Sequence, residues 1–497
     1  MADTKAANGD SKEEALTAFV SFPSPYTQTL LLRALTATLP SLSMSLLPPD
    51  PDHPPRLQWA DYDLMTFDIP HRDPSYLISS YIYRKALIRK HQLHTTITEY
   101  LAKAQHRGIE SSLRTGIPKG WTIDVQFADE LDELLMDDLY ELADTMQENE
   151  RKDEGDRQWF ILKPGFADRA QGIRLFSTED EMRAIFEEFE PPSDDEEEEG
   201  DESDAGSGDG RGEGLEERTE KLRLGDDSDE EGGTAVMTSH LRHFVIQELL
   251  PDPVLFDLKQ TGEGHKFHLR AYVLVTGSWT VHLSRTMLAL FAGAVFTSPS
   301  SGGEIDLQPH LTNTCLQTDA FGAPVPEDDL VRLFWYLEGE DALAYTKGSY
   351  ASRGRVTRPW LDSVFAQVGD VCAEAVRAGA ECGSFGLQLM PNAFEIFGVD
   401  LVLTFPPDAA VGGDLPIPRV SLLEFNASPD FVQSGDALRP RLLELFKGVV
   451  HISVAPFFGL QTIDTEEEDK KPEDWEIGEE HFEWRLVGKG QVRGQWA

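Results

Sequence analysis

The stretch Glu187–Gly233 sets the first limit on what this chain can fold into. It carries 22 Asp/Glu against 4 Lys/Arg and almost no apolar residues. Such a segment cannot bury enough apolar area to offset the entropy of ordering it, so the expectation is disorder. Apolar, strand-like sequence resumes on both sides, which predicts an insertion into a folded unit and not a linker between two. Ser193, Ser203 and Ser228 each precede acids, a context that suits an acid-directed kinase and equally suits solvated spacer serines. A second acidic stretch begins near Asp464, yet its Trp475, Phe482 and Trp484 predict that part of this tail docks back onto the body.

The acidic insertion supplies 18 of the 44 net negative charges of the 497-residue chain. A chain so acidic repels nucleic acid and anionic membranes, so direct binding to either is excluded as an expectation. Any phosphate contact must come from a local, enclosed basic site. Elsewhere 27 Phe and 9 Trp are enough for a substantial core. Cys315, Cys372 and Cys382 form no CxxC pair, which disfavours a disulfide framework or a structural zinc and fits a reducing compartment. The longest apolar run, Met287–Phe296, is half of the roughly twenty residues that a membrane helix needs. The opening residues contain no secretory apolar region, so a cytoplasmic protein is expected.

The remaining sequence alternates two periodicities. Ala18–Phe22 and Tyr62–Phe67 read as strands. Ser24-Pro25 reads as an N-cap and first helical residue ahead of Thr27–Thr38. Tyr76–Lys103 reads as one long helix. Short apolar runs at Trp159–Leu162, Phe244–Leu250, Phe267–Val275, Val399–Phe405 and Val420–Phe425 read as strands. Helical patterns lie between them at Glu179–Phe189, Glu327–Leu337, Trp360–Arg377 and Leu438–His451. The fold class is therefore mixed α/β (α+β) with a substantial sheet.

Four constellations carry chemistry. Lys163 ends an apolar strand just before Pro164-Gly165, a rigid place from which to aim an ammonium group. Phe244-Val-Ile-Gln247-Glu-Leu249-Leu250-Pro251 reads as a strand entering a hinge whose backbone can face an adenine edge. Lys266, His268 and Arg270 share one face of a strand because side chains alternate with period two. Such a cationic row needs an anion or solvent. Asp400 sits in the apolar run Phe394–Leu403, and Glu424 with Asn426 in Val420–Pro429. A Pro/Gly-rich connection between the two runs predicts antiparallel pairing that brings the three together. Two carboxylates and an amide oxygen at one spot form a hard-oxygen site of the kind that Mg²⁺ prefers, with substrate phosphates completing its shell. Together these features describe an ATP site with Mg²⁺. There is no Walker A, GxGxxG, HRD or DFG motif, so P-loop and protein-kinase readings are disfavoured.

The order of these motifs resembles the tubulin–tyrosine ligase-like family, from about Tyr76 to about Gly459. The resemblance rests on Tyr83-Arg-Lys85-Ala-Leu-Ile-Arg89-Lys-His91, Trp159-Phe-Ile-Leu-Lys163-Pro and Gln171-Gly-Ile173. Phe244-Val-Ile-Gln247-Glu-Leu, Lys266-Phe-x-x-Arg270-x-Tyr, His310-Leu-Thr-Asn313, Phe394-Glu-x-Phe-Gly-x-Asp400 and Leu423-Glu424-x-Asn426 follow in family order. It implies an ATP-grasp fold with a smaller N-terminal α/β domain and mixed or antiparallel sheets around a nucleotide cleft. The expected division is a disordered 1–14, an N-terminal domain 15–135 and a central subdomain 136–186 plus 234–250. The insertion 187–233, a C-terminal subdomain 251–462 and a tail 463–497 complete it.

The resemblance further implies an ATP- and Mg²⁺-dependent ligase that joins an amino acid, tyrosine or glutamate, to a protein carboxylate through an acyl phosphate. Tyrosine on α-tubulin is the family default. By carry-over, Lys163, Lys266 and His268 hold nucleotide, and Gln247, Leu249 and Leu250 surround adenine. Asp400, Glu424 and Asn426 hold Mg²⁺, while Arg270 and Asn313 serve the reacting groups. Lys85 and Arg89, with neighbouring Arg84 and Lys90, are candidate substrate contacts; a solvated helix face fits them as well. Two departures matter. His268 stands where the family usually reads Asp, and the stretch beginning Arg285-Thr-Met-Leu is apolar where a second arginine is common. A degenerate nucleotide-binding adaptor is therefore the alternative, and some fungal branches of the family are linked to cytoplasmic mRNA-decay granules (P-bodies).

Deleting Pro191 to Gly232 should change the free energy of unfolding by no more than about 1 kcal/mol, because exposed residues outside a core make few stabilising contacts. Chemical denaturation checks this. A larger loss, or slow amide exchange across the segment, would contradict the disorder reading.

Overall fold

The computed structural model describes residues 16–125, 130–165, 171–189, 243–300, 305–313, 316–318, 323, 325–383, 386–407, 414–463 and 470–490. The expected insertion lies outside them, apart from Glu187–Phe189, which form the end of the helix Glu179–Phe189. Cys315 and the three candidate phosphorylation serines also lie outside the described residues.

At the N-terminal end, Ser24 caps the helix Pro25–Thr38, its hydroxyl accepting the Thr27 N–H at 3.3 Å. This helix lies beside a parallel sheet ordered β2-β1-β3-β4. The strands are β1 (Thr17–Ser21), β2 (Ser43–Ser45), β3 (Leu57–Ala60) and β4 (Leu77–Ile78). Two expectations fail here. Tyr62–Phe67 is not a strand. The buried Gln58 side chain bonds both the N–H and the C=O of Thr66, and this folds the segment back as a short turn of 3-10 helix. Tyr76–Lys103 is not one helix either. Leu77 and Ile78 extend beside β3, and the helices Lys85–Ile88 and Lys90–His106 follow, separated by an extended Arg89. Sheet pairing outcompetes helical spacing at the start of that run.

The second sheet is antiparallel, in the order β5-β8-β6-β7. Its strands are β5 (Gly120–Asp124), β6 (Phe160–Pro164), β7 (Arg174–Phe176) and β8 (His243–Glu248). Helices Leu131–Met136, Tyr140–Asn149 and Glu179–Phe189 bury Leu135, Leu142, Met146 and Phe186 with its apolar face.

The third sheet is the largest and contains β9 (Leu255–Phe256), β10 (His265–Thr276), β11 (Thr280–Phe291), β12 (Val331–Leu333), β13 (Asp341–Thr346) and β14 (Ser349–Arg355). It continues with β15 (Phe394–Thr404), β16 (Arg419–Ala427), β17 (Glu480–His481) and β18 (Trp484–Lys489). Its main path runs β14-β13-β9-β10-β11-β18-β17, with β15 paired to β10 and β16 beyond it. Phe397, Val399 and Leu401 face one side, where the long helix Arg358–Cys382 covers them with Val364 and Val368. The alternating residues, among them Asp400, face the other side. The expected helix Glu327–Leu337 is broken: Glu327–Leu330 is α-helical, Val331–Leu333 pairs with β11, and Phe334–Leu337 forms a 3-10 helix. The pattern Leu438–His451 becomes the helix Arg439–Val449 followed by a wider turn over Val450–Val454.

The C-terminal segment adds β17 and β18 to the edge of this sheet, and Trp475 and Trp484 are fully buried. The Trp484 indole N–H donates to the Leu445 carbonyl at 3.2 Å, and its ring lies where a Cβ on Gly448 would collide. Trp484→Ala should cost about 3–5 kcal/mol in denaturant titration, as expected for emptying a packed aromatic site. A loss below about 1 kcal/mol would mean that this segment is not part of the core.

Candidate active site

The second and third sheets and the helix that begins at Lys90 place one cleft, of about 1130 Å³ counted out to its mouth. Its roof comes from β6, β7 and β8, which bring Ile161, Lys163, Ile173 and Gln247. The chain leaving β8 adds Leu249 and Leu250. Its floor is the polar face of β10, β15 and β16, with Lys266, His268, Asp400, Glu424 and Asn426. The segment 310–313 closes one side with Thr312 and Asn313.

The floor is fixed by strand register. Arg270 stands opposite Asp400, and Asp400 opposite Glu424, across three neighbouring strands. Asn426 sits two residues further along β16. The Arg270 guanidinium grips Asp400 with two N–H donors, at 2.5 and 2.9 Å, and the Asn426 amide donates to the same carboxylate at 3.1 Å. Glu424 pairs with Lys90 at 3.2 Å. Both acids are taken from water, and each is held by a cation, as buried charge requires.

The cations of the cleft outnumber its paired acids. Lys163 donates to the Gln247 side-chain oxygen at 2.9 Å, and Lys266 donates to the His310 carbonyl at 2.9 Å. Neither ammonium contacts a carboxylate among the described residues. Burial pulls Lys163 down to about 8, helped by Lys90 and opposed by Glu424 and Asp400. Burial pulls Lys266 down to about 8 as well, with Lys163 adding to the effect. For Glu424, burial raises the pKa, but Lys90 and Lys163 outweigh it and hold the carboxyl at about 2. Lys90, Lys163 and Lys266 line the cleft with Asp400, Glu424 and Glu248, and Arg270 adds a fourth cation from beneath Asp400. Such a cavity is short of negative charge, which a polyphosphate supplies.

His268 is buried between these groups. Its Nδ1 lies 2.6 Å from the Thr312 hydroxyl and its Nε2 lies 3.6 Å from Asp400. Burial, more than its cationic neighbours, lowers its pKa, and Asp400 only partly offsets this; the ring is neutral at pH 7. Burial and Lys266 push His310 down to about 3, so it too is neutral.

Most of the residues picked from sequence meet here. Lys163, Gln247, Leu249, Leu250, Lys266, His268, Asn313, Asp400, Glu424 and Asn426 all line the cleft. Arg270 lies beneath, acting through Asp400. Lys85 is exposed and, like Arg89, does not line the cleft. The basic patch suggested for this helix region does not form as a unit. Arg84 is buried against Glu395 at 2.9 Å, and Lys90 turns inward to Glu424. Arg285 lies apart from the cleft and pairs with Glu480 and Asp362, so it is not a second active-site arginine. Lys90 is the main residue that sequence reasoning misplaced. Only its ion-pair partner Glu424 distinguishes it from neighbouring cations. Thr312 was legible only as part of His310-Leu-Thr-Asn313.

The residues fit a divalent cation in kind. Asp400, Glu424 and Asn426 offer oxygen donors at adjacent positions of two paired strands, and all three line the cleft. Among the described residues no cluster of three or more His, Cys, Asp or Glu forms a self-sufficient metal site, so phosphate oxygens and water must complete the shell.

An enclosed cation-rich cleft between two antiparallel sheets, with a hinge at the exit of β8, is the architecture of an ATP-grasp enzyme domain. The structure aligns with the crystal structure of the C-terminal domain of Kluyveromyces lactis Pby1, described as an ATP-grasp enzyme interacting with the mRNA decapping enzyme Dcp2. That match has a TM-score of 0.59 and 26% identity, and covers 96% of this chain and 99% of the other. The chain belongs to the tubulin-tyrosine ligase family, whose pattern matches residues 79–462. It is 34% identical over 406 residues to a Schizosaccharomyces pombe protein named a probable tubulin–tyrosine ligase, covering 82% of this chain and 84% of that one. It is also 32% identical over 477 residues to the Saccharomyces cerevisiae protein named probable tubulin–tyrosine ligase PBY1. That match covers 94% of this chain but only 55% of the relative's length.

Glu424→Ala leaves β16 intact while removing one oxygen donor and the partner of Lys90. The thermal stabilisation that Mg·ATP gives the wild type should largely disappear, since a bound ligand stabilises by RT ln(1 + [L]/Kd). Differential scanning fluorimetry reads this. Equal shifts in both proteins would remove Glu424 from the site.

Proposed function

We propose that the chain is an ATP- and Mg²⁺-dependent ligase that joins an amino acid to a protein carboxylate. The observation that carries this reading is the cleft in which Lys163 and Lys266 have neutral oxygen partners among the described residues, beside a hinge at Gln247–Leu250. In the reaction, a carboxylate oxygen of the acceptor attacks the γ-phosphorus and ADP leaves. The amine of the incoming amino acid then attacks the acyl carbon, phosphate departs, and the amine loses a proton. Lys163 and Lys266 hold the phosphates, and the edge at Gln247, Leu249 and Leu250 holds adenine. Asp400, Glu424 and Asn426 hold Mg²⁺, which supplies charge neutralisation at the phosphate oxygens. Arg270 holds Asp400 in position with two N–H donors. Asn313 orients the reacting groups, and His268 receives a ribose hydroxyl. Such transfers depend on positioning and charge neutralisation more than on covalent help from the protein. Tyrosine on α-tubulin is the first acceptor pair to test, with glutamate as the other amino acid, in the cytoplasm.

A second reading has a specific observation behind it. The solved relative is described as interacting with Dcp2. In that reading the chain binds nucleotide without ligating and serves as an adaptor near the decapping machinery, in P-bodies. His268 in place of an acidic residue favours it, because a neutral imidazole cannot offset Lys266 and Arg270 as a carboxylate would.

Purified protein with ATP, Mg²⁺, detyrosinated tubulin and labelled tyrosine or glutamate separates the two. The ligase reading expects label in tubulin that depends on ATP. It also expects Asn313→Ala to lose on the order of a hundredfold in rate with nucleotide binding retained. Nucleotide binding with no incorporation on any protein acceptor would favour the adaptor.

A further inference from the structure

Beyond Asn426 the same face of the sheet leads to a second cavity, of about 1000 Å³ counted to its mouth. Phe394 and Ile396 of β15 lie on the side of Asp400, and the chain leaving β16 brings Ser428, Pro429 and Phe431 against them. Pro429 packs over Gly398, where an added Cβ would meet it at 2.9 Å. Gly398 is two residues from Asp400, about 7 Å by strand rise. The cavity is therefore next to the cleft but separate from it.

Its lining has a distinct chemistry. Six rings contribute, those of Phe22, Trp59, Tyr62, Phe394, Phe431 and Phe446. Trp59 meets Phe394 at 89° with centroids 5.1 Å apart, and Phe446 at 66° and 6.2 Å, so the walls stand at steep angles to one another. The charged lining residues are all acids: Asp61, Glu395 and Asp430. Glu395 is already paired with Arg84, whose guanidinium also lies 3.9 Å from the centre of the Tyr62 ring, so one face of that ring is already taken by a cation and the other five rings are left to a ligand. Asp61 and Asp430 form no ion pair among the described residues; their carboxylates accept the N–H groups of Asp63 and Val432. The start of helix Pro25–Thr38 also borders the cavity through Ser24 and Thr27. Its dipole amounts to about half a positive charge and is outweighed by two full carboxylates.

We propose that this cavity binds the cationic side chain of a peptide, an ammonium or guanidinium group on an aliphatic stem. Aromatic faces attract such a cation, and the carboxylates add to that attraction once water is displaced. A carboxylate-bearing side chain is repelled, and a neutral apolar one desolvates the acids without compensating them. The cavity reaches solvent at Ser428 and Asp430, both exposed, which gives a peptide backbone a place to run outside it. The proposal does not depend on the ligase reading, since binding here needs no nucleotide.

Titration calorimetry on the full chain without nucleotide tests it, using four small probes. These are the Nα-acetyl amides of lysine, norleucine and glutamate, and n-butylammonium. The lysine amide should bind about tenfold tighter than the uncharged norleucine amide, and the glutamate amide should not bind. Asp61→Asn combined with Asp430→Asn should remove most of the lysine preference, and both asparagines keep the local hydrogen bonds. Ala60→Leu, which fills the cavity, should block all binding; an unchanged melting temperature establishes that it folds. If Ala60→Leu does not fold, the wild-type probe series and the double asparagine variant still decide. Equal affinity for norleucine and lysine amides, no binding of the lysine amide, or binding unaffected in folded Ala60→Leu would overturn the proposal. n-Butylammonium, which is the lysine side chain alone, should bind as well; its failure to bind would also overturn the proposal, since the cavity is argued to hold the side chain and not the backbone.

Discussion

The ion pair between Arg270 and Asp400 is the contact on which the site depends. It crosses β10 and β15 in the centre of the largest sheet, and Glu424 continues the row on β16. A carboxylate buried there alone would protonate or unfold its surroundings. With Arg270 donating twice, Asp400 is paired and fixed in direction. Asn426 and the nearby His268 ring take their places around it. The rest of the cleft follows from the same rule of paired burial: Lys90 turns inward because Glu424 needs it. Lys163 and Lys266 are left with neutral oxygen partners, which makes the cleft receptive to an anion.

This division of labour links the fold to function. The large sheet holds the charged row rigidly, its far side clamped by the helix Arg358–Cys382. The smaller antiparallel sheet holds Lys163 and Gln247 opposite. A nucleotide lying between the two sheets would place its phosphates over the row and its base against Leu249 and Leu250.

Much of the site was legible because strands encode side with a period of two. Lys266, His268 and Arg270 had to share a face, and so did Glu424 and Asn426. Antiparallel pairing of two apolar runs then brought Asp400 to them. What was not legible depended on tertiary competition. Leu77–Ile78 follows a helical pattern yet pairs with β3, because a parallel neighbour offers its backbone a ladder. Val331–Leu333 does the same beside β11. The inward turn of Lys90 and the burial of Arg84 were hidden because a run of four cations looks alike in sequence. Only the partners Glu424 and Glu395, more than 300 residues away, tell them apart.

The central claim is that the cleft is built to receive polyphosphate by leaving Lys163 and Lys266 without acidic partners. Near pH 8.5 both lysines, lowered to about 8, are largely deprotonated in the empty protein. Phosphate oxygens beside them raise their pKa values, so binding must draw protons from solution. Calorimetric titration of Mg·ATP at pH 8.5, in two buffers of different ionisation enthalpy, measures this directly. The account predicts net uptake on the order of one proton per nucleotide, shrinking toward zero at pH 6.5 and falling in Lys163→Met. Binding without uptake at pH 8.5, or with proton release, would contradict it.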